Sequence, residues 1–279
     1  EDPRLNAVDP MELSDYEELY SLSGGRYPSC TLNRIPRWGN EYSYYPLYEG
    51  EGQGTFNLNV NIAKILAKPM PAAIEVGAEW TDDNKNAINI YTRTTFELNA
   101  SELPLQIGYV LLEDGLSGEG EEWAQANFYS GIESIEDRAL KELTKLPALI
   151  TGQEYNNVAV AAWGPYKGID GSLVGPYAVG KSIEGSYTAD ITGNQHIQNK
   201  EKLSVVALLV SKEDGTIINA AKCKIGDTLP PTDITSVRTA TNAYDVYDLQ
   251  GRQLRHAATS LDGLPRGIYV INGRKFVSK

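Results

Sequence analysis

The chain has 279 residues, of which 41% are hydrophobic and 22% charged, as is ordinary for a soluble globular protein. Its formal net charge of −12 repels nucleic acid and anionic lipid headgroups, so both are excluded as partners. No apolar run approaches the roughly 18 residues that a membrane-spanning helix needs, so no transmembrane span is expected. No signal peptide is evident, and the chain is expected to be a mature form.

Residues 1–54 predict a small α+β segment followed by a linker. Residues 12–22 carry apolar side chains at spacings of three and four, with acidic residues in the first turns, which predicts a helix. A pair of glycines ends it. Residues 26–35 predict a short strand, and residues 36–54, rich in Pro, Gly and Tyr, predict a linker or packed loop.

This linker holds the dense aromatic group of the chain. Aromatic rings stack on sugars and on flat protein surfaces, so the cluster is a candidate ligand-binding surface. The alternative is that the rings pin the linker to the next domain. The candidate residues are Trp38, Tyr42, Tyr44, Tyr45 and Tyr48.

Residues 55–228 predict a β domain. Within residues 56–62, apolar side chains (Phe56, Leu58, Val60, Ile62) alternate with asparagines, which predicts a half-buried strand. One helix is predicted over residues 135–146. Further strands are predicted over residues 73–80, 88–98, 104–112, 155–163, 186–192, 203–210 and 216–225. Strands separated by turn signals indicate a mainly β fold, an immunoglobulin-like antiparallel β-sandwich.

Turn signals locate the hairpins and the C-terminal module. Asp214-Gly215 and Asn272-Gly273 each predict a two-residue hairpin turn, because these pairs favour the required positive φ angles. Gln250-Gly251 marks a further turn. Consecutive prolines cannot join a sheet, so residues 229–279 are predicted to form a linker and a small C-terminal β-hairpin module.

No pattern in the chain indicates a catalytic constellation or a cofactor site. Cys30 and Cys223 lack CxxC spacing, so no zinc site is expected; they are either two buried thiols or a disulfide pair. His196 and His256 lie far apart, and no strained nucleophile turn accompanies them. We therefore expect no enzyme, no cofactor and no metal.

The acidic stretches have two interpretations. The carboxylates of Glu113, Asp114 and residues 119–122 are interpreted as solvated acidic loops, against the alternative of a glycosidase pair. The oxygen-rich turn at residues 82–84 could hold calcium, although no EF-hand pattern is present.

Four stretches carry a resemblance to a known family. They read RYPSCTLNRI, YVLLEDGL (109–116), YNNVAVAAWGPYKGIDGSLVG and LSVVALLVSKEDGTIINAAKCKI. Their order and spacing, over roughly residues 10–226, resemble the outer-membrane-protein-twenty-eight-related envelope proteins of Gram-negative bacteria. The resemblance implies a thioredoxin-like domain before an immunoglobulin-like β domain. Residues 1–54 resemble the end of that thioredoxin-like domain, but the chain lacks its CxxC motif.

The C-terminal stretches VYDLQGRQL and LPRGIYVINGRKFV resemble sorting modules of secreted and surface proteins of certain Gram-negative bacteria. This implies a protein that is outer membrane-associated, periplasmic, or at the cell surface or secreted. We expect a non-enzymatic envelope or surface protein that contacts an envelope or extracellular protein or glycan. The alternatives are a truncated thiol-disulfide envelope protein and a carbohydrate-binding module.

Overall fold

The computed structural model describes most of the central part of the chain and the strands of its C-terminal part. The described residues are 9–23, 31–34, 62–63, 65–229, 244–247, 253–258, 267–271 and 274–278. The chain divides into two compact units, Glu1–Leu229 and Pro230–Lys279, and each is described by itself. The domain boundaries predicted after residues 54 and 228 stay predictions. Among the described residues, no helix combines the length and the apolar character that a membrane crossing requires.

Two antiparallel sheets form the larger unit. Sheet A has the strand order β1-β2-β7, and sheet B has the order β6-β3-β8-β9. The strands and the helix are β1 (Ala72–Trp80), β2 (Ala87–Phe96), β3 (Leu105–Glu113), β4 (Gln125–Ala126), α1 (Arg138–Leu143), β5 (Leu149–Ile150), β6 (Val158–Trp163), β7 (Ser182–Asp190), β8 (Leu203–Ser211) and β9 (Ile217–Lys224). The mainly β sandwich predicted from the sequence is confirmed. Its assignment as immunoglobulin-like stays a prediction.

The core lies between the inner faces of the two sheets. On β1 the residues Ile74, Val76 and Ala78 are buried while Glu79 is exposed, as the alternation of the sequence predicts. The large buried side chains that meet them from β2, β3 and β8 are Ile88, Ile90, Phe96, Ile107, Leu111, Val205 and Leu209. Burial of about 25 cal/mol per Å² of apolar surface makes this layer the main source of stability.

Sheet B is also covered on its outer face, which explains why β3 and β8 are apolar on both sides. Outward-facing residues such as Val110 and Leu208 form a second cluster with Leu13, against which Tyr16 packs. These two N-terminal residues belong to the segment predicted as an α-helix. The structure has a 3-10 helix there, Ser14–Ser23, with Tyr16 N–H donating to the Leu13 carbonyl at 3.0 Å. The N-terminal segment therefore packs on the sandwich as an extension.

A small insertion separates β3 from β6. It contains the short pair β4–β5 and the helix α1, so the predicted helix over residues 135–146 is present but shorter. The buried amide of Asn127 holds this insertion together. Its Nδ2 donates to the carbonyls of Leu143 at 2.8 Å and Pro147 at 3.1 Å, which satisfies one backbone group at the end of α1 and one beyond it.

The strand predicted over residues 56–62 is wrong at its described end. Ile62 lies in a helical turn and its side chain is 38% exposed, instead of pointing into the sandwich. The apolar residues Ile62, Ile65 and Leu66 follow one another at helical spacing, so Ile62 fits a helix as well as a strand. Residues 56–61 lie outside the described part of the chain.

The hairpin between β8 and β9 is present, but its turn is longer than the predicted two residues. Ser211 N–H donates to the Thr216 carbonyl at 2.9 Å, which leaves four residues in the loop. Gly215 takes a φ of 74°, and its N–H donates to the Ser211 carbonyl at 2.8 Å. The Asp214 carboxylate accepts the Thr216 N–H at 3.0 Å, and this bond lowers the pKa of Asp214. These polar groups stabilise the longer loop.

The smaller unit is a four-stranded antiparallel sheet, sheet C, with the order β11-β10-β12-β13. Its strands are β10 (Tyr244–Tyr247), β11 (Gln253–Ala258), β12 (Gly267–Ile271) and β13 (Arg274–Ser278). Ile271 pairs with Arg274, so two residues connect β12 to β13, and the predicted two-residue connection at Asn272-Gly273 is confirmed.

Candidate functional site

In the described part of the chain, the sandwich is closed on one side and open on the other. On the closed side, β1 bonds to the segment that follows β9: Ala78 N–H donates to the Asp227 carbonyl at 2.9 Å. On the open side, β6 and β7 are joined by residues 164–181, here called the crossover loop. This loop pairs with β3 at Ile169 and with the end of β2 at Val179, so it passes from sheet B to sheet A.

A cleft of about 380 Å³ lies between β7 and the crossover loop. We call it the β7 cleft. Apolar and aromatic side chains share its walls with serines and glycines, and two carboxylates reach its rim. The residues that matter here are Tyr109, Ile169, Val174, Ile183 and Tyr187 on the walls, with Asp170 and Glu184 as the carboxylates.

Stacked aromatic rings stiffen the cleft. The ring centroids of Tyr109 and Tyr187 lie 5.2 Å apart, and the two ring planes make an angle of 16°. The ring centroid of Trp163 lies 6.0 Å from that of Tyr187. Tyr109 is 2% exposed. Burial raises the pKa of both tyrosine hydroxyls, so they are neutral at physiological pH. The cleft therefore has a packed aromatic base rather than an exposed pair of rings.

Close backbone contact fixes the crossover loop on β3. Ile169 N–H donates to the Ile107 carbonyl at 3.0 Å, and Ile107 N–H donates to Ser172 Oγ at 2.8 Å. A Cβ on Gly108 would lie 2.1 Å from the Gly164 carbonyl oxygen. Only glycine allows this approach, and the loop could not reach its position over a larger residue.

The two carboxylates at the cleft are held by partners on the sheets. Asp170 Oδ1 accepts from Gln106 Nε2 at 2.8 Å. Glu184 Oε1 accepts from Arg93 Nε at 3.0 Å, and Arg93 also pairs with Glu75 Oε2 at 3.2 Å. Glu75 on β1, Arg93 on β2 and Glu184 on β7 lie directly opposite one another. The arginine therefore links the edge strand β7 to the rest of sheet A.

Cys223 is a buried residue of β9, packed in the sandwich core. Burial raises the pKa of its thiol to about 11, with a further contribution from the nearby Asp227 carboxylate. A thiol-disulfide enzyme needs a thiol whose pKa is lowered instead, so Cys223 does not support that function. Cys30 lies outside the described residues, and its pairing with Cys223 stays a prediction.

We expect the Cys223 thiol to make stability fall at alkaline pH. Between pH 9.0 and about 11 the thiol ionises in the unfolded chain but stays protonated in the folded one. The folded state then binds more protons, so the free energy of unfolding drops with rising pH, by about 2 kcal/mol across the window. Urea unfolding of the wild type and of Cys223→Ala measures this, because the variant lacks the thiol's contribution.

The same pair of proteins also tests the disulfide. If the wild type and Cys223→Ala lose stability in parallel above pH 9.0, the thiol does not titrate as stated. Parallel curves, together with no free thiol in the unfolded wild type, would indicate that Cys223 is bonded to Cys30. Tyrosines and lysines titrate in the same range in both proteins, so their contribution cancels in the difference.

The aromatic ligand candidates Trp38, Tyr42, Tyr44, Tyr45 and Tyr48 all lie outside the described residues, so their role stays a prediction. His196 contacts the N-terminal residues: its Nδ1 lies 3.3 Å from the Pro10 carbonyl oxygen. The turn at residues 82–84 is closed internally, with Asn84 N–H donating to Asp82 Oδ1 at 2.8 Å. Within the described part of the chain, no three His, Cys, Asp or Glu side chains are grouped to hold a metal.

The expectation of solvated acidic loops is wrong for Glu113, which is 1% exposed. Its Oε1 accepts the Asn199 N–H at 2.6 Å, and its Oε2 accepts the Gln198 N–H at 3.0 Å. The carboxylate thus anchors the loop that precedes β8. Asp114 also bonds the backbone, since its Oδ1 accepts the Asn157 N–H at 2.7 Å. Both groups act within the fold and not on a substrate.

Comparison with known proteins gives weak likenesses. No family model matches the chain, and no curated protein matches it. The structure named HBP35 of Porphyromonas gingivalis is 12% identical, with a TM-score of 0.38 over 78% of this chain and 66% of that one. A domain of the outer membrane lipoprotein Omp28 from the same organism is 14% identical, with a TM-score of 0.27 over 57% of this chain and 90% of that one. At these values neither likeness carries an argument about function.

Proposed function

We propose that this chain is a non-enzymatic protein of the bacterial cell envelope or surface that works by binding a polypeptide partner. The observation that carries the proposal is the β7 cleft. It combines apolar and aromatic side chains with serines and two carboxylates, it opens on the side of the sandwich, and the described residues that line it include no histidine, cysteine or lysine. Because its two carboxylates are already held by Gln106 and Arg93, this lining favours contact with another molecule over acid–base or nucleophilic chemistry.

A polypeptide suits this cleft better than a sugar. Sugar-binding surfaces present exposed aromatic faces, whereas Tyr109 is buried and its ring is covered by Tyr187. The walls contributed by Ile169, Val174 and Ile183 match apolar side chains instead. Among the partner classes expected from the sequence, the geometry therefore favours protein over glycan.

The proposed location rests on the sequence resemblance. The C-terminal stretches that resemble sorting modules fall on the strands of sheet C, a separate compact unit. A separate small β unit agrees with the C-terminal module that the resemblance implies. The outer membrane, the periplasm and the cell surface all satisfy this proposal.

Fractionation of cells that carry the natural gene tests the location. An antibody raised against the sandwich should detect the protein in the envelope fraction or the culture medium. Trypsin added to intact cells separates surface from periplasm, since only a surface protein is then degraded. If the protein is found only in the fraction that contains a cytoplasmic marker enzyme, the proposal is overturned.

A glycan array separates the two classes of partner. The control is a Val174→Glu variant, which places a charge in the cleft wall. We expect no glycan to give a higher binding signal with the wild-type chain than with this variant. Glycan binding that Val174→Glu abolishes would replace the protein-binding proposal with a carbohydrate-binding one.

A further inference from the structure

Within the described part of the chain, the strand β7 has one edge without a backbone partner. It pairs with β2 along its whole length, from Ser182 opposite Thr95 to Asp190 opposite Ala87. It ends the order β1-β2-β7, so its other side faces away from sheet A. Among the residues that the structure describes, no backbone group pairs with that side. A row of unpaired N–H and C=O groups is a template for another strand.

The hydrogen-bond register shows which residues of β7 present these groups. Phe96 N–H donates to the Lys181 carbonyl, and Ile191 N–H donates to the Asn86 carbonyl. The bonds to β2 therefore fall on the odd-numbered residues of β7, and the outward groups belong to the even-numbered ones. These residues are Ser182, Glu184, Ser186 and Thr188, and all four are exposed.

The other three outer strands of the sandwich have partners at their edges. β1 bonds to Asp227 through Ala78. β6 is capped by two side chains: Ala162 N–H donates to Asp15, and the Val160 carbonyl accepts from Asn194. β9 begins with Ile217 N–H donating to the Asn33 carbonyl. Within the described part of the chain, β7 differs from all three.

The β7 cleft lies along this same strand. Glu184, Gly185, Ser186 and Tyr187 line it from β7, and the crossover loop forms the opposite wall. Side chains of a strand point alternately to the two faces of a sheet. A strand added to β7 would therefore place every second side chain on the core side of sheet A, where the cleft opens.

We propose that an extended segment of a partner protein adds to the free edge of β7 as a further strand and places alternate apolar side chains in the β7 cleft. This inference rests on the proposed binding function and specifies its mode. Backbone hydrogen bonds supply affinity in such complexes, and pockets for alternate side chains supply specificity.

Charge indicates the chemistry of the partner segment. Three exposed carboxylates, Asp170, Glu184 and Asp190, lie on β7 or at the cleft, whereas the described residues of β7 and of the cleft lining include no lysine or arginine. A segment with apolar residues at the inward positions and lysine, arginine or threonine at the outward positions complements this surface. An acidic segment would be repelled.

Selection from a displayed random-peptide library tests the proposal, because such a library samples many extended segments at once. The full chain is immobilised, and bound peptides are sequenced. We expect enriched peptides with apolar residues at every second position and basic or threonine residues between them. Each selected peptide is then measured in solution by calorimetry against three proteins: the wild type, Ser186→Pro and Ser186→Ala.

The two variants differ in the backbone N–H. Ser186→Pro removes an outward N–H of β7 without removing a bond to β2, and proline is tolerated at such edge positions. Ser186→Ala removes only the hydroxyl. We expect Ser186→Pro to weaken peptide binding at least about tenfold and Ser186→Ala to leave it within about twofold. Melting temperatures and circular dichroism show that both variants are folded.

Hydrogen exchange supplies a second measurement that does not depend on the proline. A selected peptide should slow exchange at the amides of Glu184, Ser186 and Thr188. Enrichment of peptides that bind all three proteins equally, or an absence of enrichment, overturns the proposal. So does a dimer in sedimentation that Ser186→Pro dissociates, because the occupant of the edge is then a second copy of this chain. None of these results depends on the cellular fractionation.

Discussion

Replacing Glu113 with glutamine should lower the free energy of unfolding by about 3 kcal/mol. The carboxylate is 1% exposed and accepts two backbone N–H groups, those of Gln198 and Asn199. A glutamine has the same shape but only one acceptor oxygen, so its NH₂ group would face one of the two N–H donors. That donor and the new amide would both be buried without partners, and both penalties fall on the folded state.

Urea unfolding of Glu113→Gln measures the loss, and Glu119→Gln is the matched control. Glu119 is exposed in the loop that follows β3, so its substitution changes the net charge equally without a buried partner. We expect the control to stay within about 0.5 kcal/mol of the wild type. Equal effects in the two variants would show that net charge, and not the buried hydrogen bonds, determines the change.

Hydrogen exchange locates the effect within the fold. In Glu113→Gln, exchange at the amides of Gln198 and Asn199 should accelerate more than exchange in the centre of β8. A uniform acceleration would instead indicate that the whole sandwich is destabilised equally. The local result is expected because Glu113 fixes the loop that leads into β8 from residues 194–202.

The strands of the sandwich were predictable because their patterns depend on local periodicity. On β1 the core-facing Ile74, Val76 and Ala78 are spaced two residues apart, with Glu75 and Glu79 on the opposite face. β3 and β8 are apolar on both faces, yet their length and the turn residues around them still indicate strands. What the sequence did not reveal is why both faces are apolar, because the cover of sheet B comes from Leu13, far from both strands in the sequence.

The errors occur where local patterns are ambiguous. Ile62 satisfies the period of a strand when it is grouped with the residues before it, and the period of a helix with those after it. At Asp214-Gly215 the sequence indicates a turn correctly. Its length depends on Ser211, whose hydroxyl accepts the Glu213 N–H at 3.3 Å and thereby favours a longer loop.

The candidate site could not be predicted, because distant residues form it. Tyr109 and Tyr187 lie on different sheets, and their stacking depends on the packing of the whole sandwich. The glycines of the crossover loop were visible in the sequence, but their role depends on close approaches that only the structure shows, such as that of the Gly164 carbonyl to Gly108. Glu113 was misassigned for the same reason: its two donors lie more than eighty residues away.

The arrangement of strands in the sandwich supports the proposed binding mode. A sandwich that closes through β1 and covers β6 with N-terminal residues leaves β7 as the strand open to addition in the described part of the chain. Arg93 pairs with Glu75 and Glu184 on both neighbouring strands, which stabilises β7 in sheet A while its edge stays exposed. A binding edge of this kind needs such support, because an edge strand has only one backbone partner.

Replacing Gly108 with alanine should destabilise the sandwich by about 3 kcal/mol and release the crossover loop from β3. The added Cβ would lie 2.1 Å from the Gly164 carbonyl oxygen, a backbone atom that cannot rotate away. Relief of the clash requires the loop to move, and the bond from Ile169 N–H to the Ile107 carbonyl is then lost. One wall of the β7 cleft is lost with it.

Urea unfolding and hydrogen exchange at Ile169 measure the two parts of this effect. Gly185→Ala is the matched control, since Gly185 also lies in a strand and its Cβ would meet the Thr92 hydroxyl at 3.2 Å, a contact that a side chain can relax. We expect it to cost about 1 kcal/mol or less and to leave Ile169 protected. If the Ile169 amide stays protected in Gly108→Ala and the variant still binds the selected peptides, the added Cβ does not displace the crossover loop. The prediction that close approach at Gly108 holds this wall of the cleft is then wrong.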